Sequence, residues 1–359
     1  MNQVIPFSGA YPARDITFLL NKITMEMTDV ADKEAMIQSG KRHYSEMLSQ
    51  ENPPTEQHLQ IFAKAMEQNA GRMATEVVML AKALADEFGD IPIVLVSLVR
   101  AGAPLGVMLQ RALRHLGKES HHYGVSIIRD RNLDPAAMDL IEQRHGTEGI
   151  VFVDGWTGKG AITGQLIASL DNRKGYPAYP RLVVLADPCG CAWLSASTDD
   201  WLIPFGIMGA PVSGMVSRSV WAEDGFHGCV YCEHLQPFEC GNELVDTVER
   251  LMLGMDVSQI PSAKSVIKTN APLRAMSKHV VDTLMRRYEV DRSNRIKPGI
   301  AEATRAVLRR VPDHVLVQSA TDPDVALLVH LAAEKGIPVT EVGDEIGQYR
   351  AVTIIKKVK

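Results

Sequence analysis

The sequence lacks any apolar run able to cross a bilayer. Its longest, Ile91 to Val99, is far below the roughly 20 residues that a spanning helix needs. The opening Met1-Asn-Gln-Val-Ile-Pro6 has neither the basic region nor the apolar core of a secretory signal, so a cytoplasmic chain without a membrane partner is expected. Cysteine is sparse and odd in number, five in 359 residues, which argues for reduced thiols and against a disulfide framework. What is present, 46% apolar and 23% charged residues, is enough to bury full cores in two or three domains.

Two familiar nucleotide motifs are also missing at the stretch around which the chain is organised. Ile150-Val-Phe-Val153 reads as a parallel strand buried on both faces, followed by Asp154, then Gly155, Gly158 and Gly160 with hydroxyls at Thr157 and Thr163, then a helix from Gln165 to Leu170. A Walker A loop is excluded, because Val153 stands where its first glycine belongs and Gly160 follows Lys159 where Ser or Thr is required. A dinucleotide fingerprint is excluded by the glycine spacing. A strand, a tight glycine loop and a helix start remain, a geometry that gathers backbone N–H groups around an anion. A loop for phosphoribosyl diphosphate (PRPP) fits this pattern best.

Asp154-Gly-Trp-Thr-Gly-Lys-Gly-Ala161 is similar to the PRPP signature of type I phosphoribosyltransferases. The longer phrase Phe152 to Gly160 resembles a phosphoribosyltransferase branch associated with tellurium-resistance-type bacterial stress operons, labelled "cysteine protease StiP" and commonly carrying a Pelota-like RNA-binding domain. That resemblance covers nearly the whole chain. It implies a type I phosphoribosyltransferase-like parallel sheet and a Mg²⁺-dependent pentosyltransferase that makes a nucleotide- or nucleoside-like product from PRPP and an unidentified base or nucleophile. Asp154 would hold the ribose hydroxyls and could touch the metal. Thr157, Gly158, Lys159, Gly160, Ala161 and Thr163 would wrap the 5′-phosphate, and Arg100, Ala101 and Gly102 the pyrophosphate. Arg129 and Arg131, in the polar segment Arg129 to Pro135, would sit on a mobile flap. Trp201, Ser213, Ser217, Arg218 and His43 are candidates for the acceptor side, with Tyr44 and Glu46 beside His43. Gly155 replaces the second acid of the signature, which leaves a non-catalytic PRPP sensor as an alternative.

Around this centre, residues 1 to 90 read as a helical layer, with helices over Asp29 to Ser49, Thr55 to Asn69 and Arg72 to Phe88. Residues 91 to 260 carry the core domain: strands over Ile91 to Val99, Tyr123 to Ile128, Arg181 to Ala186 and Asp199 to Pro204, helices over Val107 to Leu116, Ala136 to Arg144 and Glu243 to Gly254. Cys229-Val-Tyr-Cys232 lacks a matching second pair, so a structural zinc is not expected. A cysteine protease would need an activated thiol, and Cys229 beside His227 is the obvious pair.

After the linker Pro261-Ser-Ala-Lys264 the charge reverses. From residue 261 onward there are 17 Lys and Arg against 11 Asp and Glu, a net +6, leaving −11 for residues 1 to 260. A basic segment on an acidic body points to a polyanion, most simply RNA. Residues 265 to 359 alternate helix and strand, with a helix started near Gly299, strands at Val315 to Val317 and Ile337 to Val339, and a helix from Asp324 to Lys335. This segment resembles the Pelota and L7Ae-like α/β sandwich, which implies that Lys297, Gly299, Arg305 and the Glu345 to Tyr349 loop face RNA. A homo-oligomer is also compatible with the chain.

Overall fold

The structure is a computed structural model that describes residues 7–263 and 270–357. Met1 to Pro6 and Lys264 at the end of the expected linker lie outside the described residues.

The chain opens with two short strands, β1 (Thr17–Phe18) and β2 (Asn21–Lys22), then α1 (Val30–Gln38) and the long α2 (Glu56–Phe88). The core follows as β3 (Ile93–Val99), α3 (Gly102–His115), β4 (Ser120–Ile128), β5 (Asn132–Leu133), α4 (Pro135–His145), β6 (Ile150–Val153), α5 (Ala161–Leu170), β7 (Leu182–Ala186), β8 (Leu194–Ser197), β9 (Gly228–Cys229) and α6 (Gly241–Leu253). The C-terminal part holds α7 (Ala271–Arg287), β10 (Ile296–Pro298), α8 (Ile300–Arg309), β11 (Pro312–Val317), α9 (Ala326–Glu334), β12 (Val339–Glu341) and β13 (Ala351–Ile355).

The fold is mixed α/β. The main sheet runs β1-β4-β3-β6-β7-β8, parallel throughout, with β5 folded back antiparallel on β4. β3 and β6 are buried at every position, which is why they read as unbroken apolar runs. A second sheet, β10-β13-β11-β12, forms the C-terminal layer, and β2 pairs with β9 apart from both. One apolar cluster links the two parts: Trp156, Trp201 and Phe205 of the first share it with Ile300, Val307 and Val315 of the second.

Several expected elements differ. The first helix stops at Gln38, because Gly40 takes a positive φ of 73° and the polar Lys41-Arg-His43 segment passes into a turn and a short 3-10 piece. The two helices expected between Thr55 and Phe88 are one of 33 residues; Asn69 and Gly71 do not break it, since Met73, Ala74, Val77 and Ala81 bury on α3 and α6. The strand expected at Asp199 to Pro204 is β8, earlier in the chain; Asp200 instead caps another element, described below. The helix start at Pro135 with Asp134 as its cap is as expected, Asp134 Oδ1 accepting from the Ala137 N–H at 3.1 Å.

Candidate functional site

The carboxyl ends of β3 and β6 lie side by side, because these strands pair directly. The turn after β3 and the loop after β6 therefore meet. Gly102 is required there: a Cβ would come within 2.0 Å of the Val153 carbonyl oxygen. Gly155 is also constrained, since a Cβ would lie 2.9 Å from Phe205 Cε2; that ring occupies the space a second acid would need.

Among the described residues Asp154 accepts only from the N–H of the following Gly155, at 2.8 Å. Burial pushes its carboxyl up to about 7, with Arg305 and the Gly155 N–H pulling the other way. Lys159 donates to the carbonyls of Ser293 and Ile296, the latter at 2.8 Å, and burial, with Lys297 and Arg129 nearby, brings its amine down to about 6. The loop hydroxyls face inward. Thr157 donates to Asp187 Oδ1 at 2.6 Å and Thr163 to the Cys191 carbonyl at 2.9 Å, so neither is presented to an anion in the expected manner. Gly160, at φ 80°, is the cap of α5, which begins at Ala161.

The arginines are more heavily engaged than the sequence suggested. Arg100 Nη2 pairs with Glu51 at 2.5 Å and Nη1 donates to the Val216 carbonyl at 3.1 Å. Arg131 pairs with Glu46 at 2.5 Å and lies over the Trp221 ring. The expected flap is a β4–β5 hairpin, tied by the Arg129 N–H to Tyr44 Oη at 2.7 Å and the Asp130 N–H to Gln165 at 2.8 Å. His43, Tyr44 and Glu46 thus reach this hairpin, and His43 Nδ1 is bonded to Ser45.

The remaining acceptor candidates are structural. Trp201, four residues beyond β8, is 2% exposed beneath the Arg72 guanidinium and shares the apolar cluster of Trp156 and Phe205. Ser213 donates to the Gly209 carbonyl, Ser217 links Arg218 to Val230, and Arg218 donates to the carbonyls of Tyr44 and Met47.

The expected RNA face is turned inward. Lys297 is buried, and Gly299 begins α8, where Asp200 accepts from the Ile300 N–H at 3.0 Å and from the Arg350 N–H at 2.8 Å. Arg305 stacks over Trp156 with 4.5 Å to the ring centroid. Tyr349, from the expected RNA loop, is fully buried and donates to the Gly158 carbonyl at 2.6 Å. Lys297, Gly299 and Arg305 therefore roof the Asp154 loop instead of facing solvent. Glu302 and Arg309 on the same helix join this cluster, unforeseen; Arg305 and Arg309, four apart opposite the apolar Ala303, Ala306 and Val307, were the available signal.

The thiols separate into two kinds. Cys229 is fully buried and raised by burial to about 12; His227 Nδ1 is bonded to Ser126 Oγ at 2.7 Å, so the expected Cys229–His227 pair does not form. Burial also raises Cys232 to about 11 and Cys240 to about 12. Cys191 is half-buried and its thiol donates to the Cys189 carbonyl at 3.6 Å; it is lowered, first by the Cys189 thiol beside it and then by the charge of Arg274, against the opposing effects of burial and Asp187. Its Sγ would stand 2.8 Å from a Cβ at Gly160, over the start of α5. Among the described residues no group of three or more His, Cys, Asp and Glu is gathered to hold a metal, and no helix is long and apolar enough to cross a membrane.

Comparison with known proteins bears directly on the transferase reading. Residues 275–357 match a PELOTA RNA binding domain. A solved structure of glycine decarboxylase (P-protein) aligns at 13% identity over 96% of this chain and 81% of that chain, at a TM-score of 0.24, a value that carries no likeness of fold. A protein of Acinetobacter baylyi named "Cysteine protease StiP" is 48% identical, with 98% of this chain and 95% of that protein covered. Residues 9–249 match the family described as "Tellurite-like stress resistance cysteine protease StiP". Both names are those of proteases, which overturns the phosphoribosyltransferase resemblance, the PRPP-dependent transferase activity and the PRPP-sensing alternative expected from the sequence. The chain belongs to the tellurite-like stress resistance cysteine protease family, StiP.

Proposed function

We propose that the protein is a thiol-dependent hydrolase whose nucleophile is Cys191. The observation that carries this reading is that Cys191, alone of the five cysteines, is held below the ordinary thiol range while remaining half-exposed. A thiolate is the attacking species in such chemistry, and cations together with the start of a helix favour it. The Arg274 guanidinium and Gly160, the N-cap of α5, supply those two influences. The stress-resistance protease names of the family and of the Acinetobacter relative agree with a catalytic cysteine.

Among the described residues no histidine bonds to this thiol. His58 is bonded to the Ile207 carbonyl, His122 to Ser97 and the Asp15 carbonyl, and His227 to Ser126. Attack by a thiolate needs no base, whereas expulsion of an amine needs a proton donor. Activated esters and thioesters are therefore expected to turn over faster than peptides. The C-terminal PELOTA match supports RNA as a partner that brings the hydrolase to its place of action.

Mass-spectrometric mapping of brief iodoacetamide labelling at neutral pH is expected to find Cys191 modified at least about tenfold faster than Cys229, Cys232 or Cys240. Hydrolysis of a nitrophenyl ester is expected to vanish in Cys191→Ser and persist in Cys229→Ser. Activity that survives Cys191→Ser removes the assignment.

A further inference from the structure

The roof that α8 lays over the Asp154 loop brings together more cations than acids. Arg100 closes β3 and is 6% exposed, yet its Nε has no partner among the described residues. Arg305 is held flat on the Trp156 face and reaches the Gly206 carbonyl with Nε at 3.4 Å, while its buried Nη2 is also without a partner. Arg309, one turn further along α8, has neither hydrogen bond nor ion pair among the described residues. Among the described residues one acid pairs directly with the group: Glu51, whose Oε2 holds Arg100 at 2.5 Å and whose Oε1 accepts from the Ala210 N–H at 2.8 Å; Glu302 and Asp154 bear on Arg305 by charge without bonding it. Against the opposing effect of burial, Arg100 and then Arg309 draw Glu51 down to about 2, so it stays ionised and still leaves the cluster positive.

Buried guanidinium N–H groups without acceptors are costly, and like charges gathered out of water cost more. Burial, with Arg100 and Arg305 beside it, drives Arg309 well below its ordinary range. A planar fork of donors matches phosphoryl and carboxylate oxygens, and several such forks converging on one point satisfy a compact anion better than a single charge.

From these unpartnered donors we infer that Arg100 at the end of β3 and Arg305 and Arg309 of α8 form a composite site, shared by the two parts of the chain, for a small anion of two or more charges, phosphoryl groups foremost. The ligand is a small molecule and not an RNA strand, because Arg100 is almost wholly enclosed and α8 turns this face inward. The site is independent of the thiol reading: none of its arginines acts on Cys191, whose charged neighbours are Asp187 and Arg274.

Thermal melting of the full chain with increasing inorganic pyrophosphate tests the inference, sodium chloride being used to match ionic strength and citrate serving as a carboxylate arm. Wild type is expected to rise in Tm with a saturable dependence, since a ligand that binds only the folded state stabilises it by mass action. Arg309→Ala is expected to weaken that apparent affinity by about tenfold or more, the usual worth of a charge-assisted hydrogen bond. Without ligand this variant is expected to melt no lower than wild type, because it removes repulsion and breaks no bond. Arg144→Ala, at an exposed arginine on α4, should retain the full rise, as should Cys191→Ser. Four results would overturn the inference: a rise that follows salt alone, an equal rise in Arg309→Ala, a ligand-free Arg309→Ala that melts several degrees lower, or single-stranded RNA binding that pyrophosphate does not displace but Arg309→Ala abolishes.

Discussion

Asp154 shows how far a residue can be read from sequence. Its place at the end of a buried strand was legible from Ile150 to Val153, but its electrostatic state was not, because it depends on burial in the folded chain and on the charges of Arg305 and Glu302, some 150 positions away. The folded carboxyl titrates near 7 against about 3.9 in an unfolded chain. A raised carboxyl is neutral in both states below the unfolded value, and its penalty grows as pH climbs towards the folded one. Asp154→Asn, which cannot ionise, is expected to melt with wild type near pH 4 and increasingly above it towards pH 8. Differential scanning fluorimetry across that range checks this; a gap independent of pH would show that Asp154 is ionised throughout. Cys191 was illegible for a related reason: Cys229 and His227 are close in sequence but His227 bonds Ser126, while Arg274, more than 80 positions from Cys191, bonds the neighbouring Gly190 carbonyl at 2.8 Å.

At the scale of elements, the parallel strands were readable because both faces are buried, leaving runs such as Ile93 to Val99 with no polar residue but Ser97. The helix starting at Pro135 was readable because Asp134 and Pro135 each have a local role there. The continuity of α2 was not, since long-range packing on α3 and α6 decided it, whereas the end of α1 is set locally by the positive φ of Gly40. The β3–α3 turn was read as an anion loop from its glycine. The structure gives Gly102 a steric duty, the 2.0 Å approach of a Cβ to the Val153 carbonyl. Gly102→Ala is expected to destabilise the chain by about 1–3 kcal/mol or more, as overpacking against backbone does. An unchanged urea midpoint would mean that the turn relaxes freely.

For the whole molecule, the charge asymmetry of the sequence does not tell which basic residues face outward. Basic residues expected to meet RNA instead meet the loop of the other part of the same chain, and Asp200 fastens the junction by bonding the N–H groups of Ile300 and Arg350. Periodicity within 265 to 359 carries no information about which face docks, since docking depends on a partner surface built from residues 154 to 210. Asp200→Ala leaves two buried donors unsatisfied, at a cost of about 1–3 kcal/mol each. It is expected to hasten amide exchange in residues 155 to 163 while exchange in the β3 core stays slow. Equal acceleration in both would mark global unfolding in place of separation.

The contact of Gly158 with Glu302, Pro298 and Tyr349 has a kinetic consequence. A molecule that reached Gly158 would have to displace Glu302, Pro298 and Tyr349, so its capture would be gated by the rate at which the C-terminal part lifts. At high ligand concentration the observed association rate should then level off at a value belonging to the protein alone, the same for every molecule that enters.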